Sequence, residues 1–158
     1  MNPIVVNPIG TVRHTEDGFV LELEKEYAKG LQALEGFSYI NVLWWSHECD
    51  QDEARNILEV EAPYKKAPEI MGIFATRSPM RPNPISITAC PVIRIDEEAG
   101  RIHLAYIDAN DGTPVLDIKP YTPSIDRVEE PEVPQWCSHW PKNVEESGEF
   151  DWSAEFNF

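Results

Sequence analysis

A chain of 158 residues suffices for one hydrophobic core, and 42% hydrophobic with 10% aromatic residues excludes a disordered or membrane-embedded polymer. No apolar run approaches the roughly 20 residues of a membrane helix, and the start MNPIVVNPIG has neither the basic head nor the apolar centre of a secretory signal, so a cytoplasmic protein is expected. The net charge of -15 opposes nucleic-acid binding unless the charge is segregated, which it is in part: eight acids face one base from Val128 onward, whereas seven acids meet six bases between Gly72 and Arg127.

Taken in order, Ile4 to Arg13 is β-branched and apolar with Pro8 and Gly10 interrupting, which predicts an edge or bulged strand. Gly18 to Glu24 alternates, Phe19, Leu21 and Leu23 against Val20, Glu22 and Glu24, and predicts a half-buried antiparallel strand. Tyr27 to Leu34 allows a helical turn or two, with Gly36 as its stop. Phe37 to His47 is the strongest strand by composition. It sets Ile40, Val42 and Trp44 against Tyr39, Asn41, Leu43, Trp45 and His47, which predicts burial on both faces or a partner subunit on one.

Asp50 to Arg55 reads as a charged turn, Ile57 to Val60 as a short strand, Pro63 to Pro68 as a loop and Gly72 to Thr76 as a further strand. Ile85 to Ile95 alternates Ile85, Ile87, Ala89 and Ile93 against Ser86, Thr88, Cys90 and Val92, with Pro91 signalling a bulge or an edge. Asp96 to Gly100 is a hairpin turn, and Arg101 to Ile107 returns with Ile102, Leu104 and Tyr106 expected inward. The DANDG turn (Asp108 to Gly112) precedes VLDIKPY, and after Pro120 the chain turns Pro- and Glu-rich. Trp136, Trp140 and Trp152 are expected to anchor that acidic stretch.

About seven short strands, little helix and no βαβ rhythm predict a mainly β fold, a small antiparallel β-barrel with short helical segments. The expected organisation is a single domain, residues 1–125 forming the barrel and 126–158 an acidic tail packed on it. No GxGxxG follows a strand, which excludes a Rossmann methyltransferase. Cys49, Cys90 and Cys137 are odd in number, with no CxxC spacing, so reduced thiols are expected rather than disulfides or a zinc knuckle. The run His47, Glu48, Cys49, Asp50 is expected to hold no metal, because a strand sends neighbours to opposite faces.

The stretch the chain is organised around is GIFATRSPMRPNPISIT, Gly72 to Thr88. Pro79, Pro82 and Pro84 each fix φ and remove an N–H, and bias Ser78, Arg81 and Asn83 toward extended backbone. A stiff loop carrying Arg77 and Arg81 loses little entropy on gripping an anion, and its unpaired carbonyls and the Asn83 amide are expected to stay free for a polar ligand. The alternative is a proline-rich turn whose arginines point into water.

GIFATRSPMRPNPI and DGTPVLDIKPY, with PIGTVRHT and LEGFSYINVLWWSHECD before them, resemble the motifs of the TsaA-like family, the TrmO-type S-adenosylmethionine-dependent tRNA methyltransferases. The matches run in family order from about residue 8 to 121. Two positions depart from the pattern: Ser86 stands where the family has glycine, and Tyr39 where it has histidine. The resemblance implies a small barrel that pairs as a homodimer, S-adenosylmethionine as cofactor, and tRNA as acceptor, methylated on the modified adenosine beside the anticodon. It carries the cofactor site onto His47, Phe74, Arg77, Arg81, Pro82, Asn83, Leu116 and Lys119.

The cofactor's carboxylate calls for Arg77 or Arg81, and its ammonium or ribose hydroxyls for Asp111 or Asp117. An exocyclic amine is a poor nucleophile, so an acceptor for its proton helps, and Asp108, Asp111 and Tyr121 are the candidates. Against this, aspartates in such a turn commonly bond their own backbone, and Asp117 and Lys119 share a strand face and pair. Three readings stay open: a tRNA methyltransferase, a methyltransferase of small molecules or other RNA, and a non-catalytic dimeric module that binds an adenosine ligand.

Overall fold

Alternating sequence becomes eight strands in the computed structural model, which describes residues 2–158. They are β1 (Gly10–Thr15), β2 (Gly18–Leu23), β3 (Tyr39–Trp45), β4 (Glu59–Glu61), β5 (Ile70–Gly72), β6 (Ile85–Asp96), β7 (Arg101–Leu104) and β8 (Pro114–Pro120). The helical pieces have three or four residues each, and no helix of the described residues is long and apolar enough to cross a membrane. The chain divides into two compact units: the residues up to Asp50 with Pro84–Arg127, and Gln51–Asn83 with Val128–Phe158.

In the first unit six strands close into an antiparallel barrel in the order β1-β2-β7-β6-β3-β8. The seam is short, with β1 meeting β8 only at Gly10↔Val115 and Thr11↔Pro114. One side of each strand fills the interior: Val12, Leu21, Ile40, Val42, Cys90, Ile102 and Val115 are all fully buried. Each such Leu or Ile contributes about 1.5–3 kcal/mol by leaving water. Burial pushes the Cys90 thiol up to about 12, so it behaves as a small apolar filler.

The inward face of β2 is the one the alternation indicates, and β3 buries Ile40 and Val42 on one face with Asn41 on the other, but three details differ. Ordered pairing begins at Gly10, and Ile4 and Val5 are 89% and 80% exposed. On β6, Ile85, Ile87 and Ile93 point outward while Ser86, Thr88 and Cys90 lie opposite the buried face of β3. Those hydroxyls are tolerated because each has a partner, Trp44 Nε1 donating to Thr88 Oγ1 at 3.0 Å and Ser46 Oγ lying 3.0 Å from Ser86 Oγ. Finally, β7 ends at Leu104, so Tyr106 is 51% exposed and Ile107 takes the buried place expected for it. The bulge signalled by Pro91 falls at Ile93, which the register between β6 and β7 skips.

In the second unit β4 and β5 form a hairpin, Val60 opposite Met71. The strand expected over Gly72 to Thr76 stops at Gly72, and Ile73–Ala75 is a tight 3-10 turn. Thr76 holds that turn by donating its hydroxyl to the Ile73 carbonyl at 2.8 Å. The sequence reading put residues 51–83 with the barrel. The structure groups them with the C-terminal stretch, because Tyr64 is the hub of its aromatic rings: Trp136 at 5.4 Å, Trp140 at 4.9 Å and Phe156 at 5.7 Å. Trp152 joins through Trp140, and Glu155 clasps the cluster by accepting from Trp140 Nε1 at 3.1 Å and pairing with His139 Nε2 at 2.9 Å.

Two predictions follow from this packing. A Cβ on Gly10 would sit 2.5 Å from the Glu22 carbonyl oxygen and 2.8 Å from the Leu23 Cα, backbone that cannot step aside. Gly10→Ala is therefore expected to lower the urea-unfolding free energy by about 1–3 kcal/mol, and an unchanged midpoint would contradict the close approach of β1 to β2. The bonds from His139 and Trp140 hold the Glu155 carboxyl below its ordinary value of 4.5, so its contribution is present above that value and is lost as pH falls through the lower folded value. Acid titration of indole fluorescence should show the cluster intact at pH 4.5 and loosening below it, with that step absent in Glu155→Gln.

Candidate functional site

The proline loop lies in the second unit, and its stiffness comes from more than its prolines. The Arg81 Nη1 group donates to the carbonyls of Thr76 and Ser78 at 3.4 and 3.5 Å, and Arg55 Nε donates to the carbonyl of Pro82 at 3.0 Å. The expectation of unpaired loop carbonyls is thus corrected. A loop without a sheet ladder still has to satisfy its carbonyls, and guanidinium forks do so here. Thr76 Oγ1 accepts from the Ser78 backbone N–H at 3.2 Å, and Ser78 Oγ from that of Met80 at 3.3 Å. With its backbone so fixed, the loop presents the Phe74 ring, 76% exposed, with the Arg81 guanidinium carbon 5.9 Å from its centroid. Arg77 and Asn83 are exposed, and Pro82 is half-buried. Burial raises the Tyr64 phenol, opposed by a backbone hydrogen bond and the positive charge of Arg77, which ties the loop's first arginine to the aromatic hub.

At one rim of the barrel, β3 runs out into Ser46, whose N–H donates to the Pro84 carbonyl at 2.8 Å and whose hydroxyl meets Ser86. Ser86, a departure from the motif, is thereby part of the rim's bonding. His47 opens the next 3-10 turn with its Nδ1 3.4 Å from the hydroxyl of Thr113, itself only 1% exposed. Asn110 Nδ2 donates to Glu48 at 2.6 Å. Asp111 does not bond its own turn: its carboxylate accepts from the His14 backbone N–H at 2.8 Å, and His14 Nε2 lies 2.8 Å from the Ala109 carbonyl. Asp108 is exposed beside the Tyr106 phenol, which is raised first by burial and then by that carboxylate. Ser46, Asn110 and Thr113 escaped the sequence reading, because small polar residues at strand ends carry no periodic signal, and Glu48 figures there only as a metal ligand.

The remaining candidates lie along β8. Leu116 is the extra residue of a bulge, since Leu43 pairs with Asp117 and Trp44 with Val115. Lys119 bonds Asp117 at 2.8 Å, the pairing their shared face indicates, and this raises the lysine. Tyr121 follows the strand's end with its ring 6.3 Å from that of Tyr39, the second departure from the motif. A strand rising about 3.3 Å per residue separates the two ends of Pro114–Pro120 by roughly 20 Å. Asp108, Asp111 and His47 therefore gather at one rim while Lys119 and Tyr121 stand toward the other, so the three acid-base candidates do not form a single constellation. Among the described residues no group of three or more His, Cys, Asp or Glu is placed to hold a metal ion.

Comparison with known proteins agrees with this architecture. Residues 7–127 match the family model described as the tRNA-methyltransferase O N-terminal domain. An S-adenosyl-L-methionine-binding protein of Archaeoglobus fulgidus is 41% identical over 110 residues, which are 70% of this chain and 73% of that one. A protein of Methanocaldococcus jannaschii named as a probable S-adenosyl-L-methionine-binding protein is 38% identical over 121 residues, 77% of this chain and 94% of that one. The crystal structure of TrmO from Pseudomonas aeruginosa superposes with a TM-score of 0.63 at 29% identity, covering 83% of this chain and 62% of that one. The chain thus spans under two-thirds of that solved protein. It belongs to the family defined by the tRNA-methyltransferase O N-terminal domain.

Proposed function

We propose that this chain is an S-adenosylmethionine-dependent methyltransferase acting on tRNA, at the N6 position of the threonylcarbamoyladenosine beside the anticodon. The observation that carries the reading is the braced loop over Phe74 to Asn83, a rigid display of guanidinium, aromatic and amide groups within the family's motif. These groups suit the cofactor's parts: a carboxylate for Arg77 or Arg81, a flat adenine for the Phe74 ring, and polar edges for Asn83. Pro82 fixes the backbone between them. His47, Leu116 and Lys119 are the barrel residues carried over from the family's cofactor site.

When bound, S-adenosylmethionine supplies a methyl group on a positively charged sulfur, already activated for displacement. The chain's own task is alignment and the handling of one proton. As the acceptor nitrogen forms its bond to carbon, its N–H has to be taken up. Asp108 is an exposed carboxylate suited to receive it, while Asp111 already accepts from the His14 backbone. Tyr121, at the other end of β8, is the third candidate.

Homodimer formation belongs to the same proposal. Ile85 and Ile87 are 41% and 45% exposed on the outer face of β6, in register with Trp45 and Leu43 of β3, an apolar strip suited to a second copy. The site of action is then the cytoplasm, where tRNA is modified. A net charge of -15 favours the second reading, transfer to a small or differently structured acceptor.

Transfer of labelled methyl to total tRNA is the expected result. Transfer to small acceptors alone would replace the proposal by the second reading, and cofactor binding without turnover by a non-catalytic module. By calorimetry, Arg77→Ala and Arg81→Ala are each expected to weaken cofactor binding about tenfold or more, the loss of one charge-assisted hydrogen bond. Arg81→Lys should fail to restore it, since a compact ammonium lacks the planar fork by which the guanidinium turns Nη1 to the loop carbonyls and keeps its other nitrogens for a carboxylate. Unchanged affinity in both alanine variants would remove the arginines from the assignment.

A further inference from the structure

The DANDG turn at the rim is flanked by an aromatic ladder that none of the roles above uses. His14 meets the Phe19 ring edge-on at 4.9 Å, and Phe19 meets Tyr106 edge-on at 6.0 Å. The ladder is tied to the turn at two points, His14 Nε2 to the Ala109 carbonyl and the His14 N–H to the Asp111 carboxylate, and the charge of Asp108 adds to burial in raising the Tyr106 phenol. Its outer member stays open to solvent, Tyr106 being 51% exposed although strand alternation would have turned it inward.

A large aromatic held at a rim by an edge-on neighbour, half in water, is poor use of apolar area for a fold but suits a flat ligand. Its ring is oriented in advance, so stacking on it costs little ordering entropy. Cations elsewhere on the barrel are in part committed: Arg13 and Arg101 both bond Glu22, at 3.4 and 2.7 Å, and Lys119 bonds Asp117. A nucleic acid meeting such a surface gains more from its bases than from its phosphates, and single-stranded loops of RNA are recognised mainly by stacking on aromatic side chains.

We infer that Tyr106 is the stacking platform for the acceptor nucleobase, presenting an unpaired purine of an RNA loop beside Asp108. This rests on the tRNA methyltransferase reading and deepens it by assigning where the acceptor lies. Tyr106 touches the base and does not take the proton; Phe19 and His14 position it.

The test uses the full chain and an anticodon stem-loop RNA carrying 2-aminopurine at the acceptor position, with unmodified tRNA for the transfer assay. Tyr106 stacking predicts quenching of the 2-aminopurine on binding. Tyr106→Ala should abolish the quenching and weaken RNA binding by roughly 5- to 150-fold, the range of one base–aromatic stack, with cofactor affinity unchanged. Tyr106→Phe and Tyr106→Trp should retain both, and since they keep a ring they also control for folding. Equal binding and quenching by wild type and Tyr106→Ala, while wild type methylates tRNA, would overturn this inference and leave the function standing. Equal loss in Tyr106→Ala and Tyr106→Phe would also overturn it, by assigning the effect to the phenol hydroxyl. Failure of wild type to bind or methylate the RNA would overturn both.

Discussion

The barrel rim depends on one strand that is hydrogen-bonded along both edges. β3 pairs with β6 over seven residues and with β8 over five, so its register fixes both neighbours at once. A slip of one residue would turn Ile40 and Val42 out of the core and Tyr39 and Asn41 into it, at a cost of several buried side chains. Because that slip is forbidden, Ser46 and His47 leave the barrel at a defined place opposite Thr113, and the turn from Asp108 to Gly112 is held to β1 through His14. Groups that lie far apart in the chain thus become neighbours through strand pairing alone.

The second unit achieves fixity differently. Its only paired strands are β4 and β5, three residues each, and much of its order comes from rings stacked about Tyr64 and from arginines bonded to loop carbonyls. Aromatic pairs and charge-assisted bonds are directional, so a segment with little regular structure still holds Phe74, Arg77 and Arg81 on a defined backbone. The same economy governs charge. Arg81 spends one nitrogen of its guanidinium on the loop carbonyls, which leaves further donors of the fork for a ligand.

How much of this was legible in the sequence follows from where the information lies. Period-two alternation identified β2 with its buried face, since burial on one side is what alternation records, and composition identified β3 as a strand. It misjudged Tyr106, because β7 stops at Leu104 and the alternation stops with it, which the residue types alone do not mark. It gave β6 a plain alternation whose buried side turned out to be the one with hydroxyls, a choice made by the bonds from Trp44 and Ser46 and invisible without them. The proline loop was recognised as rigid from composition, whereas Arg55 as its clamp could not be found, since it lies 27 positions before Pro82. Motif resemblance named the cofactor residues and the need for a proton acceptor named Asp108, Asp111 and Tyr121, but only strand geometry separates the two aspartates from Tyr121 along β8.

The central claim is that the braced loop is where the cofactor's carboxylate is held. A crystal structure of the chain grown with S-adenosylmethionine tests it most directly. The account predicts that carboxylate within hydrogen-bonding distance of the Arg77 or Arg81 guanidinium, with the adenine against Phe74. Cofactor lodged instead in the open cavity of about 410 Å³ lined by Trp140, Lys142 and Phe150, or absent at saturating concentration, would contradict it.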